Sequence, residues 1–167
     1  MRKCAFTGHR PQRLSFCSDE ADERCIQLKL ILREQIIHLI EEDGVSCFIT
    51  GMAMGVDMYA AEIVLDLKAN YPGLQLECAI PYEEQAMRWT NALRERYYDI
   101  ASKCDKETML QTHYSSGCFQ RRNRYMVDQA DIVLAVWDGQ PSGTGSMVKY
   151  ALSKGKQVIR IDPSDMS

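Results

Sequence analysis

Residues Asp131–Trp137 read DIVLAVW, an apolar run with no polar side chain between its first residue and its last. A strand with one face in water alternates apolar and polar residues, whereas a strand covered on both faces reads as a continuous hydrophobic run. This segment therefore calls for helices packed on both sides of a sheet. The rest of the chain is punctuated to supply them.

The first strand is expected at Cys4–Thr7, ending at Gly8. The acidic stretch Asp19 to Glu23 suits a helix N-terminus through the macrodipole. That helix runs to about Asp43, with Cys25, Leu28, Leu32, Ile36 and Leu39 on one buried face at three- and four-residue spacing. Gly44 then stops it and Val45–Thr50 is the second strand. A helix follows Gly55 and ends near Tyr71, and Leu74–Ile80 is the third strand, closed by Pro81. Glu83 to about Cys104 reads as a charged amphipathic helix and Glu107–Thr112 as the fourth strand. Phe119–Ala130 is a basic helix, Asp131–Trp137 the fifth strand, Gly143–Lys154 the last helix and Gln157–Ile161 the last strand. Such alternation predicts an α/β fold: a three-layer α/β/α sandwich on a mainly parallel sheet of about six strands, with right-handed crossovers. At 167 residues the chain reads as one domain spanning 1–167.

The seven cysteines are odd in number and none has CxxC spacing, so they read as reduced thiols of a cytoplasmic protein. The first residues, MRKCAFTGHR, lack the apolar stretch of a signal peptide, and no apolar run approaches the ~20 residues that span a membrane. A net charge of −3 gives no general attraction to nucleic acid or anionic lipid. His9, His38 and His113 are scattered without metal-ligand spacing, so no metal centre is expected.

Ligands of open α/β sheets bind beyond the C-terminal ends of the strands, near the switch in strand order. Three strand-to-helix loops here are rich in glycine: Thr7-Gly8-His9-Arg10-Pro11, Gly51-Met52-Ala53-Met54-Gly55, and Asp138 to Ser146 with Gly143, Thr144 and Gly145. All three open on the same sheet edge. Backbone N–H groups at helix starts, with few bulky side chains around them, favour a phosphate-bearing ligand. No GxGxxG fingerprint and no GxxxxGK[ST] loop is present.

The basic helix carries FQRRNRY at 119–125, whose three arginines cannot all face a core. One of them can clamp a phosphate or carboxylate bidentately, and Asn123 can read a ribose hydroxyl or a base edge. Asp57, in the first turn of its helix, is either a dipole-favoured carboxylate or a ribose-hydroxyl acceptor. Glu62 lies further along and orients a neighbouring loop. His9 and Arg10 stand at a strand end, where functional residues concentrate. Pro81 and Tyr82 follow the third strand, and Tyr82 with Trp89 offers an apolar wall for a base, although Trp89 reads first as core. Ser142, Ser146 and Cys118 have no base partner visible in the sequence, which leaves nucleophilic catalysis unsupported.

TGHRP at 7–11, TGMAMGVDMYAAE at 50–62, IPYEEQ at 80–85 and RRNRYMVDQADIVLAVWDG with GTGSMVKYA across 121–151 resemble the SLOG superfamily. The nearest branch is the YpsA-like family, and the resemblance covers nearly the whole chain. It implies a Rossmann-like fold, a nucleotide-like ligand such as NAD, ADP-ribose or a nucleoside monophosphate, and a homo-oligomer. The superfamily includes LOG-type phosphoribohydrolases and the single-strand-binding DprA proteins. Aligned on the LOG pattern, Arg122 matches the functional arginine and is the best catalytic candidate, and Gly143-Thr144 matches the Gly-Thr pair. The two LOG glutamates fall on Ser146 and Met147, which cannot supply a carboxylate. Glu62 or Glu83 would have to substitute. The expectation is therefore binding or sensing of a nucleotide-derived molecule. The alternatives are an N-glycosidase, DprA-like binding of single-stranded DNA, for which Arg121, Arg122, Arg124 and Tyr125 are a fragment of a groove, and a protein-interaction module.

Overall fold

A computed structural model describes residues 1–166. Six strands, β1 (Arg2–Gly8), β2 (Val45–Thr50), β3 (Gln75–Ile80), β4 (Lys106–Met109), β5 (Ile132–Val136) and β6 (Gln157–Ile161), form one sheet in the order β4-β3-β2-β1-β5-β6. Every pairing is parallel. Five helices connect them: α1 (Glu23–Glu41), α2 (Val56–Leu67), α3 (Asn91–Lys103), α4 (Cys118–Gln129) and α5 (Gly143–Ser153). This is the Rossmann-like α/β/α arrangement.

From β1 the chain steps outward through β2 and β3 to β4, then returns across the sheet to β5 and steps the other way to β6. With right-handed crossovers, a change in stepping direction changes the face that the helices cover. Accordingly α2 packs with α1 and with α3, while α4 packs with α5. The direction reverses between β1 and β5, so the loops leaving those two strands diverge and open a crevice there.

Period-two alternation sorts the strand residues between two cores. Cys4, Phe6, Phe48, Leu76, Cys78, Ile80, Ile132, Leu134 and Val136 point to the α1–α3 side, where Phe6 and Phe48 stack with ring centroids 5.3 Å apart. Ala5, Ile49, Ala79 and Val133 point to the α4–α5 side and meet Met126, Val127, Ala130, Met147 and Ala151. The alanines at Ala5 and Ala79 keep that second face low, so α4 lies close to the sheet. The α1 face reads as expected: its five buried residues are Cys25, Leu28, Leu32, Ile36 and Leu39.

Several boundaries differ from the sequence expectation: β1 begins at Arg2, α2 ends at Leu67 and not near Tyr71, and α3 and β4 are both shorter than expected. The helix expected from Glu83 starts only at Asn91, where Thr90 caps it by accepting from the Leu93 N–H at 3.4 Å. The preceding residues, Pro81 to Trp89, are held in turns by tertiary hydrogen bonds: Glu83 N–H donates to the Thr112 carbonyl, and Gln85 Nε2 to the Met52 carbonyl. Strand β4 ends at Met109 instead of Thr112, because its only neighbour, β3, gives way to Pro81 and the ladder runs out. Trp89 is half-buried and packs edge-on against Tyr97 at 5.3 Å, at the margin of the core. No helix among the described residues is long and apolar enough to cross a membrane.

The Phe6–Phe48 stack lies under the centre of the sheet. Phe48→Ala is expected to cost about 3–5 kcal/mol. In urea unfolding the midpoint should fall with the slope unchanged.

Candidate functional site

A cleft of about 380 Å³ opens at the β1/β5 reversal. Three connections supply its walls: the β1–α1 loop (Thr7, Gly8, His9, Arg10, Gln12, Arg13), the start of α5 (Ser142, Gly143, Thr144), and the first turns of α4 (Phe119, Arg122, Asn123). Ala53 and Asp57 close the floor from the β2–α2 side, and Phe6 from β1.

Arg122 is the centre of this arrangement. It is only 4% exposed, an unusual place for a guanidinium. Its Nη1 donates to the carbonyl of Gly51 and its Nε to Asn123 Oδ1 at 2.9 Å. Its Nη2 has no hydrogen-bond partner among the described residues. Asp57, 7% exposed, is the nearby anion. Its Oδ2 accepts from the Ala53 N–H at 3.3 Å, and it stands beyond 4 Å salt-bridge contact with the arginine. Burial pushes the Asp57 carboxyl up, against the pull of Arg122, and pushes the Arg122 guanidinium down, against the pull of Asp57. The two charges make each other's burial tolerable.

Gly51 makes that pair sterically possible. A Cβ there would stand 2.8 Å from Arg122 Cζ and 2.9 Å from Asp57 Oδ2. Gly55, with φ +92°, does the same for the adjoining loop, since a Cβ would lie 2.7 Å from the His9 carbonyl. Val56 N–H donates to that carbonyl at 3.4 Å, so the start of α2 is occupied by the protein's own backbone. Met52, with φ +60°, is fully buried. The TGMAMGVD segment is thus the socket in which Arg122 and Asp57 sit. Its glycines do not face the cleft.

His9 joins the first loop to the third. It is buried, and its Nε2 accepts the Asp138 N–H at 3.1 Å. The Asp138 Oδ1 lies 3.2 Å from the same nitrogen, ready for the protonated form, and Arg13 reaches Asp138 Oδ2 at 3.8 Å. Burial lowers the His9 pKa and outweighs the attraction of Asp138. At the start of α5, Ser142 Oγ caps the Gly145 N–H at 3.0 Å and leaves the Gly143 and Thr144 amides open. Thr7 and Thr144 are both buried against the cleft, with hydroxyls that have no partner among the described residues.

Of the residues singled out from sequence, Thr7, Gly8, His9, Arg10, Asp57, Arg122, Asn123, Gly143 and Thr144 line the cleft. Gly51, Met52 and Gly55 sit behind it. Asp138 braces His9, Pro81 is buried outside the lining, and Gly145 packs on Trp137. Tyr82 lines a smaller adjoining cavity. Sequence reasoning passed over Gln12, Arg13, Ala53 and Phe119 as site residues. Phe119 had a readable signal, since it lies one helical turn before Arg122 on the same face. Glu62 is committed elsewhere: Arg96 binds it at 2.5 Å and also Glu20 at 2.5 Å, and Lys29 binds Glu20 at 2.7 Å. Burial would raise Glu20, yet the hydrogen bonds from Arg96 and Lys29 hold it at about 2. This network ties α1, α2 and α3 together on the far side of the sheet. Glu83 is exposed and outside the cleft.

Fold and cleft together define a Rossmann-like α/β domain with a polar crevice at its topological switch point. Comparison with known proteins gives the family. Residues 4–166 match the YpsA model, described as "YspA SLOG family". The chain is 31% identical over 168 residues to the UPF0398 protein BH1768 of Halalkalibacterium halodurans, covering 99% of this chain and 86% of that one. It is 32% identical over 160 residues to a UPF0398 protein of Bacillus cereus, covering 93% and 85%. The chain belongs to the YpsA family of SLOG proteins. Among solved structures, DNA processing protein A from Streptococcus pneumoniae superposes with a TM-score of 0.65 at 19% identity, covering 97% of this chain and 50% of that one. TM1055 superposes with a TM-score of 0.58 at 18% identity, covering 95% and 72%. These neighbours share the fold.

His9 gives a pH prediction. Its folded pKa lies below the ordinary 6.5, so the unfolded chain binds the proton more readily and stability rises with pH through that region. Well above the ordinary pKa of about 6.5 both states are neutral and the penalty vanishes. His9→Gln, which keeps an acceptor for the Asp138 N–H, is expected to remove this part of the slope. The difference between wild-type and variant unfolding curves from pH 5 to 7.5 measures it.

Proposed function

We propose that the cleft binds a phosphate-bearing, nucleotide-derived small molecule and that binding, not turnover, is its task. One observation carries this reading. Arg122 is buried, already oriented by two hydrogen bonds, and has a remaining donor nitrogen without a protein partner in a cleft it lines. A guanidinium placed in this way is preorganised for an anion and loses little freedom on binding. The open amides at the start of α5, the hydroxyls of Thr7 and Thr144, and Arg10 and Arg13 at the rim supply further donors around the same space. Asn123, whose Oδ1 is held by Arg122, has its amide donors left for a ribose or base oxygen.

Isothermal titration with NAD, ADP-ribose, AMP and cyclic dinucleotides tests the reading. At least one is expected to bind, with Arg122→Lys weakening it about tenfold or more through loss of the planar fork. Silence across the whole panel with folded protein would sink it.

Asp57 favours a second reading. It is the one carboxylate among the cleft-lining residues, and burial raises its pKa against the pull of Arg122. Ser146 and Met147 stand where LOG-type enzymes carry glutamates, so Asp57 would have to act alone on an N-glycosidic bond. Release of free base from AMP, lost in Asp57→Asn, would establish this hydrolase. We expect no release above background.

A further inference from the structure

His9 Nε2 faces two groups of one residue: the Asp138 N–H at 3.1 Å and the Asp138 Oδ1 at 3.2 Å. A bare nitrogen accepts from the amide and a protonated one donates to the carboxylate, so each protonation state satisfies only one of them. The neutral ring that accepts carries its proton on Nδ1. The same Oδ1 also accepts the Gln140 N–H at 2.9 Å, which shapes the turn that leaves β5. A proton on Nε2 therefore removes the acceptor of one backbone amide and competes with a second for its carboxylate oxygen. Little else holds this turn to the first loop. Its remaining side-chain hydrogen bonds run within itself, to the start of α5 or to β6, as from Trp137 Nε1 to the Gln140 carbonyl at 2.8 Å and from Arg160 Nε to the Trp137 carbonyl at 3.0 Å. Across to the β1–α1 loop the other link among the described residues is Arg13 to Asp138 at 3.8 Å.

We propose that His9 is a proton-operated latch on the cleft: neutral, it holds the β5–α5 wall in place, and taking up a proton releases that wall and weakens anion binding. The inference rests on the anion-binding reading above and adds its regulation. The wall matters because the turn at Asp138–Gln140 leads directly into Ser142, Gly143 and Thr144, which line the cleft at the start of α5. The charge gained on protonation does not offset the loss of that wall. The charges that act on the ring are Asp138 from the β5–α5 turn, Arg13 from the β1–α1 loop and Asp162 beyond β6, while the start of α2 meets His9 with a backbone amide, that of Val56. Asp138, in contact with Nε2, neutralises an imidazolium before any ligand does. Burial disfavours that imidazolium, which keeps the latch closed at neutral pH.

The test follows the full chain by NMR from about pH 8 to about pH 5, without ligand. Imidazole nitrogen shifts give the tautomer and protonation of His9, and amide shifts report Asp138, Gln140, Gly143 and Thr144. The expected result is an Nδ1–H tautomer at neutral pH and one shared midpoint, below about 6.5, at which the ring gains its proton and all four amides shift. Asp138→Asn keeps the backbone amide and an acceptor for Gln140 but removes the negative charge, and should move the midpoint further down. A proton on Nε2 at neutral pH, or an Asp138 amide that holds its shift while the ring titrates, overturns the latch. Gly143 and Thr144 amides that stay still overturn its link to the cleft. Affinity is read with ADP-ribose, whose pyrophosphate does not titrate in this range as a phosphate monoester does near about pH 6. It should fall at least about threefold between about pH 7.5 and about pH 5.5, and stay within about twofold in His9→Gln, which keeps the acceptor at every pH. An affinity that rises on acidification overturns the latch and leaves the nucleotide reading standing. Silence of ADP-ribose at every pH counts against that reading alone, because the amides decide the latch without it.

Discussion

The buried pair of Arg122 and Asp57 is the constraint on which the site depends. Neither charge could be buried alone, because an isolated ion in an apolar interior costs far more than a domain of this size can spare. The protein meets that cost with a carbonyl from β2's end, an amide from Ala53, the side chain of Asn123, and a glycine at position 51 that leaves room for both groups. Because these partners come from α4, α2 and the β2–α2 loop, the charge pair also fixes how the two helical layers meet over the strand ends. Arg122 lies in one layer and Asp57 in the other.

Around that centre the loops are braced against one another and not left as independent cradles. The His9 carbonyl takes the first amide of α2, and its imidazole takes the Asp138 amide of the third loop. The cleft walls are therefore held by the protein's own contacts. On the opposite face, the Glu20–Arg96–Glu62 network with Lys29 ties α1, α2 and α3 at half-exposed positions where water keeps the charges affordable. The two halves of the molecule thus use charge differently, one as a half-exposed tie between helices and one as a buried pair at the cleft.

Much of this was readable in advance. DIVLAVW announced a doubly covered strand, and β5 is buried at all five positions. The α1 stripe matched residue for residue. The loops were legible by glycine, whereas the residues alone left three arginines of the basic helix open and only the resemblance to the LOG pattern picked out Arg122. The site was not legible where a residue's meaning depends on distant partners. Gly51 and Gly55 looked like anion cradles because glycine before a helix usually frees amides. Here distant groups, Arg122 and the His9 carbonyl, take up that space. The helix expected at Glu83 failed for the same reason, since contacts to Thr112 and Met52 hold those residues in turns against their local propensity.

The sequence by itself determined the order of elements, the parallel sheet, the two apolar faces and the residue types available at one edge. These follow from periodicity and from glycine and proline punctuation, which act over a few residues. Only the tertiary structure decided which of those residues share a cavity. The strand order brings β1 beside β5 across more than a hundred residues of chain, and with them His9 beside Asp138 and Arg122 beside Gly51. Local pattern carries no information about such pairings. They arise from the reversal of the sheet, and so does the cleft.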